Sequence, residues 1–269
     1  MYEYFQHEVS YYKKRDKIHI GKKDYKQLIK FKKQFRSEKE VEFNGHSMLF
    51  SSPFWFLHSI EEIFIDEVYK FNSEKKNPFI IDCGANIGLS VLYFKHLFED
   101  AKIVAFEADP YVFDQMQRNI SKYNYQNVEL INAAVWDSVT SLNFSSEGSV
   151  GGKINMKDSL ESSDVLVPTT RLKDYLDKPV DFLKIDIEGA EYNVLKDCKE
   201  ELINVQNLFL EYHVMQNETQ TLHEMLEWIH NAGFKYYIRE ALNNMPFPFT
   251  SDVDGHFQMQ LNIFCYRLN

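Results

Sequence analysis

The residues able to do chemistry gather at the ends of short apolar runs. Phe79-Ile80-Ile81-Asp82-Cys83-Gly84-Ala85-Asn86-Ile87-Gly88 leads an apolar run into a glycine-containing turn and then an apolar helical stretch, Leu89 to Phe98. In a doubly wound sheet the carboxyl end of such a first strand opens on the crevice where ligands bind. Gly84 and Gly88 would let a ligand approach the backbone closely. The dinucleotide fingerprint has the same form but needs a second glycine where pyrophosphate passes, and Asn86 stands there. A carboxylate at the strand end, Asp82, repels phosphate and suits a positively charged or amine-bearing ligand.

S-adenosylmethionine meets that description. The second run ends Phe106-Glu107-Ala108-Asp109-Pro110, placing Glu107 where a ribose diol is held by a carboxylate, with Ala108 and Asp109 beside it. The competing reading is that an acid ahead of a proline-initiated helix serves the helix N-terminus. At the end of the third run, Ala133 and Ala134 are small enough for an adenine ring to lie against the backbone, though two alanines are also ordinary strand packing. The cofactor candidates are thus Asp82, Gly84, Asn86, Gly88, Glu107, Ala108, Asp109 and Ala133.

A fourth run delivers Leu183-Lys184-Ile185-Asp186-Ile187-Glu188-Gly189-Ala190-Glu191. Three carboxylates so close repel one another unless a cation or hydrogen-bond donors sit among them. Glu188 and Glu191 also suit a helix N-terminus, which leaves Asp186 unexplained. A fifth run ends Phe209-Leu210-Glu211-Tyr212-His213, and strand alternation sets Glu211 and His213 on one side. Asp186, Glu188 and His213 are the catalytic candidates. An unperturbed histidine titrates in the useful range, which makes His213 the expected general base. Asp186 is the rival base, and could instead orient His213 or contact the methionine part of the cofactor. Asp186, Glu188, Glu191, Glu211 and His213 also supply hard metal ligands, so a divalent metal is permitted without being favoured, and no metal ligand is assigned.

The elements that must position these groups follow from punctuation and period. Apolar runs at Phe79–Ile81, Ile103–Phe106, Val128–Ile131, Phe182–Ile185 and Leu208–Leu210, separated mostly by helix-length segments, predict an α/β fold with a parallel sheet. A helix over about 218–232, ended by Gly233, precedes two runs, Phe234–Ile238 and Gln260–Arg267, that could pair antiparallel. Upstream, Asn44-Gly45 between Val41–Phe43 and His46–Phe50 predicts a type I′ hairpin. Ser59 and Glu62 read as a capping box opening a helix through Ile60, Ile63, Phe64, Val68 and Phe71. Tyr25, Leu28, Ile29 and Phe35 lie at helical spacing among lysines. Residues 145–168 and 240–258 fit no regular element and read as long loops, substrate-facing or disordered. The organisation expected is an N-terminal extension, 1–58, and a catalytic domain, 59–269.

The net charge of −10 argues against a nucleic-acid partner. Its distribution is uneven: residues 1–39 carry twelve basic and five acidic side chains, a basic arm ahead of an acidic body. That arm is a solvated helix face or a peripheral contact with an anionic membrane or lipid-linked glycan. Three widely spaced cysteines, Cys83, Cys198 and Cys265, form neither a disulfide framework nor a zinc pattern, which fits a reducing, cytoplasmic setting. No apolar run reaches the roughly 18 residues that a membrane span needs, and no signal-peptide core is present.

Taken together, IDCGANIGLS, FEADP, LKIDIEGAE and LEYH, in this order and at these separations, resemble the FkbM family of S-adenosylmethionine-dependent methyltransferases, from about Glu62 to the C-terminus. The resemblance implies a Rossmann-like seven-stranded methyltransferase sheet with a C-terminal antiparallel hairpin. It further implies O-methylation of a sugar, glycan or related small hydroxylated acceptor in polysaccharide or natural-product biosynthesis. It places Asp82, Gly84, Asn86, Gly88 and Glu107 at the cofactor, and Asp186, Glu188 and His213 near the reacting centre. Two other classes stay open: a nicotinamide-dependent oxidoreductase, against which Asn86 speaks, and a non-catalytic cofactor-binding module. Tyr236, Tyr237, Phe247, Phe249 and Phe257 are either a stacking surface for a sugar or ordinary core.

Overall fold

A computed structural model describes residues 38–145, 153–154, 164–216, 218–250 and 257–268, together with 25, 26 and 28. The basic arm lies outside them almost entirely. Of its amphipathic helix, Tyr25 and Leu28 are helical and buried in the main core.

The hairpin forms as expected. Strands β1 (Lys39–Phe43) and β2 (His46–Phe50) pair antiparallel around Asn44 and Gly45, whose φ of 51° and 77° are the positive pair that a type I′ turn requires. Helix α1 (Pro53–Ile60) starts earlier than the Ser59–Glu62 pattern predicts. The Ser52 hydroxyl accepts the Trp55 N–H and Pro53 opens the first turn, so the helix is already under way at Ser59. It continues into a π-helical turn, Glu61–Ile65, and Val68 and Phe71 lie beyond its end. Glu62 therefore caps nothing.

The main sheet holds β3 (Phe79–Cys83), β4 (Lys102–Glu107), β5 (Val128–Asn132), β10 (Phe182–Ile185), β11 (Asn207–Met215), β12 (Lys235–Leu242) and β13 (Phe257–Tyr266), in the order β12-β13-β11-β10-β3-β4-β5. Strand β13 runs antiparallel to both its neighbours, and the pairings among β11, β10, β3, β4 and β5 are parallel. This is the seven-stranded, Rossmann-like α/β architecture with the antiparallel hairpin expected at its C-terminus. Its strand order turns back on either side of β3, and that switch point is where a crevice must open.

Both faces of the sheet are covered. Alternation along β3 sends Ile80 to a core shared with α1, α2 (Leu89–Leu97), α3 (Pro110–Ile120) and the β1–β2 hairpin. Its neighbour Ile81 faces a second core with α4 (Glu191–Cys198) and α5 (Leu222–Asn231). Because Val41, Phe43, Met48 and Phe50 share the first core with Ile80 and Phe94, the hairpin is part of the same packing unit as the sheet.

The segment from 145 to 168 is not simply a loop. Strands β6 (Ala134–Trp136), β7 (Ser141–Ser145), β8 (Lys153–Ile154) and β9 (Asp164–Arg171) make a four-stranded side sheet in the order β6-β9-β7-β8. Its small core is Ala134, Phe144 and Val167. Pro168 lies within β9, opposite Ser141, and a proline directly after the short run Val165-Leu166-Val167 argues against a strand in the sequence. The later long connection shortens as well, because β12 runs to Leu242 and β13 begins at Phe257. All three cysteines are buried and free, and among the described residues no helix is long and apolar enough to cross a membrane.

Candidate active site

The carboxyl ends of β3, β4, β10 and β11 border a cavity of about 640 Å³, within the range of small-molecule sites. Its walls come from the turn after β3, the turn after β4, the ends of β10 and β11, α1 with Phe54, Trp55 and His58, and the π turn with Glu62. The side sheet adds Phe144, and β13 adds Phe257 and Gln260.

On the β3–β4 side the polar groups are tied together by backbone. The N–H groups of Gly84 and Ala85 both donate to the Phe106 carbonyl, at 3.0 and 2.8 Å. Glu107 accepts the Asn86 N–H at Oε2 and the Asp109 N–H at Oε1, each at 2.9 Å. Each oxygen retains acceptor capacity, and Glu107 lines the cavity. Burial pushes its pKa up to about 7 against the pull of those two N–H groups. Asn86 holds a left-handed φ of 50° with its Oδ1 accepting the Ile87 N–H at 2.7 Å, so an asparagine does the work expected of a glycine. Ala108, Asp109 and Ala133 also line the cavity. Asp109 supplies the N-cap of α3, accepting the Tyr111 N–H at 2.9 Å. The capping duty thus falls on Asp109, and Glu107 is left to face the cavity.

Two predicted cofactor residues, Asp82 and Gly88, sit away from the cavity wall, and the glycine at a third, Gly84, has a structural reason of its own. Asp82 is fully buried behind the wall, where it accepts the Ser90 hydroxyl and lies 3.3 Å from Lys184 Nζ. It supports the site rather than lining it. Gly84 does line the cavity, but its glycine is required by the fold. Its φ is 90°, and an added Cβ would stand 1.8 Å from the Asp186 carbonyl oxygen. Gly88 faces the packed side chains of Ile120 and Met116, so helix packing explains it.

On the β10–β11 side, charges meet charges. Lys184 is opposite Asp82 in the β3–β10 register, and Asp186 follows two residues on, so all three share one face of the sheet. The buried Lys184 ammonium donates to the Gly84 carbonyl at 2.7 Å and lies 3.2 Å from Asp186. Burial by itself would depress this ammonium, but Asp186 and Asp82 outweigh it and hold the pKa well above its ordinary value. The sequence reading gave Lys184 no role. The signal was available, because a lysine inside an apolar strand is seldom buried unless paired.

His213 is buried, and its side chain is not part of the cavity wall. Its Nδ1 is 3.0 Å from Glu191, while Nε2 lies 3.4 Å from Glu211 and 3.6 Å from Glu188. Burial would lower its pKa, yet Glu188 and Glu191 outweigh it and raise it well above the ordinary value. The ring lies behind the wall and does not face the cavity, where the general-base role expected of His213 would need it. Glu191 takes the N–H of Gly189 at 3.0 Å and that of Ile187 at 3.2 Å as well as His213, combining the helix-terminus duty with ring orientation. Glu188 and Glu211 line the cavity with pKa values raised chiefly by burial. Glu188 sits at a left-handed φ of 57°.

Glu62, which sequence reasoning spent on a helix cap, projects from the π turn into the same space. It accepts from Asn262 Nδ2 at 3.0 Å, and burial raises its pKa to about 6. Of the five aromatics considered for sugar stacking, Phe257 lines the cavity, with its ring 4.8 Å from that of His213. Phe247 and Phe249 are exposed.

The family description "Methyltransferase FkbM domain" matches residues 82–236. "Methyltransferase 1" of Beauveria bassiana is 30% identical over 197 residues, 64% of this chain and 78% of the relative. "Methyltransferase sdnD" of Sordaria araneosa is 32% identical over 176 residues, 52% of this chain and 68% of the relative. "2-O-methyltransferase NoeI" of Sinorhizobium fredii is 26% identical over 159 residues, 52% of this chain and 65% of the relative. The matched span opens at Asp82 and takes in Glu107, Asp186 and His213, and the chain belongs to the FkbM methyltransferase domain family.

Proposed function

We propose that the protein transfers the methyl group of S-adenosylmethionine to a hydroxyl of a sugar, glycan or related small biosynthetic intermediate. The observation that carries the cofactor is Glu107: a carboxylate fixed at both oxygens by backbone N–H groups, facing the cavity at the end of the second parallel strand. Such a group takes two further donors from a ribose diol without moving. The alanines Ala108 and Ala133 leave room for a flat ring beside it. Oxygen as the accepting atom is supported by the name of one relative, a 2-O-methyltransferase.

Methyl transfer from a sulfonium is an in-line displacement. The carbon–sulfur bond breaks as the carbon–oxygen bond forms, and the acceptor loses a proton. The protein's share is alignment and exclusion of water, worth about 7 to 11 kcal/mol when the reacting atoms are well placed. The wall from α1, with Phe54 and Trp55, gives the cavity an apolar side that disfavours water. The acceptor proton passes to one of the lining carboxylates, Glu62, Asp186, Glu188 or Glu211, instead of to His213.

The test is transfer of labelled methyl from S-adenosylmethionine to a panel of mono- and oligosaccharides, with NAD and S-adenosylhomocysteine compared in calorimetry. Label in the acceptor together with homocysteine-form binding supports the reading. Binding of NAD alone would revive the oxidoreductase alternative. Cofactor binding with no transfer to any hydroxylated acceptor would leave a binding module.

A further inference from the structure

We propose that Asp186, Glu211 and His213 hold one divalent metal ion of the manganese kind at the acceptor end of the cavity, with Glu188 at its side. One ligand atom from each of the three lies within 4.8 Å of the others, and no rearrangement of the strands is needed to bring them together. They come from the ends of two adjacent parallel strands, which is a rigid mounting.

A cluster of acids alone says little, but this one surrounds buried polar atoms that have no hydrogen bond. His213 Nε2 is one, and Glu188 Oε2, 3.6 Å from it, is another. Buried polar atoms left in that state call for an explanation, and an ion is one of the few available. The orientation of the ring points the same way. Glu191, pinned by the N–H groups of Gly189 and Ile187, sits at Nδ1 and so turns Nε2 toward Glu211 and Glu188. A carboxylate behind a histidine whose far nitrogen faces further carboxylates is the arrangement that orients metal-bound histidines.

The cation already present does not fill the place. The Lys184 ammonium is taken up by the Gly84 carbonyl, Asp82 and Asp186. The donor chemistry selects the ion: carboxylate oxygens favour magnesium, calcium and manganese, imidazole nitrogen favours the later transition metals, and manganese accepts both. Asp186, Glu188 and Glu211 line the cavity while His213 lies behind it, so the ion has an open side toward the acceptor. A hydroxyl bound there would lose its proton more readily, the general effect of a divalent ion on bound oxygen. Occupancy of the site does not depend on the methyl-transfer reading; only this last role does.

The experiment is equilibrium titration of the full chain, first stripped with a chelator and dialysed, with manganese chloride, reading free manganese by its paramagnetic resonance signal. We expect one ion per chain. Glu211→Gln and Asp186→Asn are each expected to weaken binding at least tenfold while circular dichroism stays as in the wild type, and Glu211→Gln is expected to keep S-adenosylhomocysteine binding. Magnesium in excess should displace the manganese. No stoichiometric binding at millimolar manganese would overturn the proposal, and so would binding that both substitutions leave unchanged. Either result with intact S-adenosylhomocysteine binding leaves the methyltransferase reading standing.

Discussion

Where the cavity is formed by the turns after β3 and β4, each polar group is held by main chain. Glu107 has an N–H on each oxygen, Asn86 bonds its neighbour's N–H, and Asp109 caps a helix. Where it is formed by β10, β11 and the π turn, side chains answer side chains: Lys184 between Asp82 and Asp186, His213 among Glu188, Glu191 and Glu211, Glu62 on Asn262. The first half leaves Gln115 Oε1 without a hydrogen bond, and Asp82 Oδ1 with only the Lys184 ammonium near it. The second leaves Glu188 Oε2, His213 Nε2 and Asn262 Oδ1 without hydrogen bonds. A site whose cofactor half is preformed and whose acceptor half still has charge to satisfy binds its two ligands by different physics, one by fit and the other by neutralisation.

The largest blow to this contrast falls at the seam. Gly84→Ala should cost about 4 kcal/mol of stability in urea unfolding, combining a left-handed φ with a Cβ driven into the Asp186 carbonyl. A variant as stable as wild type would show that the two halves are not locked together there. Lys184→Met comes next, at about 3 kcal/mol, because it strands the buried Asp82 carboxylate and takes the counterion from the partly exposed Asp186. A loss well below 1 kcal/mol would mean that water already reaches the acceptor half.

Glu107→Gln sharpens the comparison from the other side. S-adenosylhomocysteine affinity in calorimetry should fall roughly 10- to 100-fold, the worth of hydrogen bonds to a charged group. The pH dependence has a definite sign. Ribose donors favour the ionised carboxylate, so wild-type affinity should decline as pH drops through about 7, and the glutamine variant should lose that limb. In the free protein the folded pKa of about 7 exceeds the reference of 4.5, so the folded state holds more protons between them. Stability should therefore fall as pH rises across that window, by an amount that Glu107→Gln removes. The smallest effect is expected from Ser52→Ala, about 1 kcal/mol, through loss of the α1 cap. It should loosen the acceptor wall and leave homocysteine-form binding unchanged.

The same contrast decides what was legible in the sequence. The turn after β3 and the Glu107-Ala108-Asp109-Pro110 run are local, so their residues and spacing announce them. The parallel strands and the final antiparallel pairing were legible for the same reason. His213 was visible as a residue but its role was not, because Glu191 and Glu188 reach it only after β10 and β11 pair. Lys184 was overlooked inside an apolar run. Glu62 was misread because Ser59 and Glu62 imitate a cap whose true form, Ser52 with Pro53, lies seven residues earlier. The side sheet was missed because its strand β9 carries no alternation and holds Pro168 directly after the three apolar residues Val165-Leu166-Val167.

The division of labour is tested most directly by titrating S-adenosylhomocysteine into wild type, Glu107→Gln and Glu211→Gln by calorimetry under one set of conditions. The account predicts binding to wild type, a marked loss in Glu107→Gln and near-wild-type affinity in Glu211→Gln. No binding to wild type, or equal losses in the two variants, would contradict it.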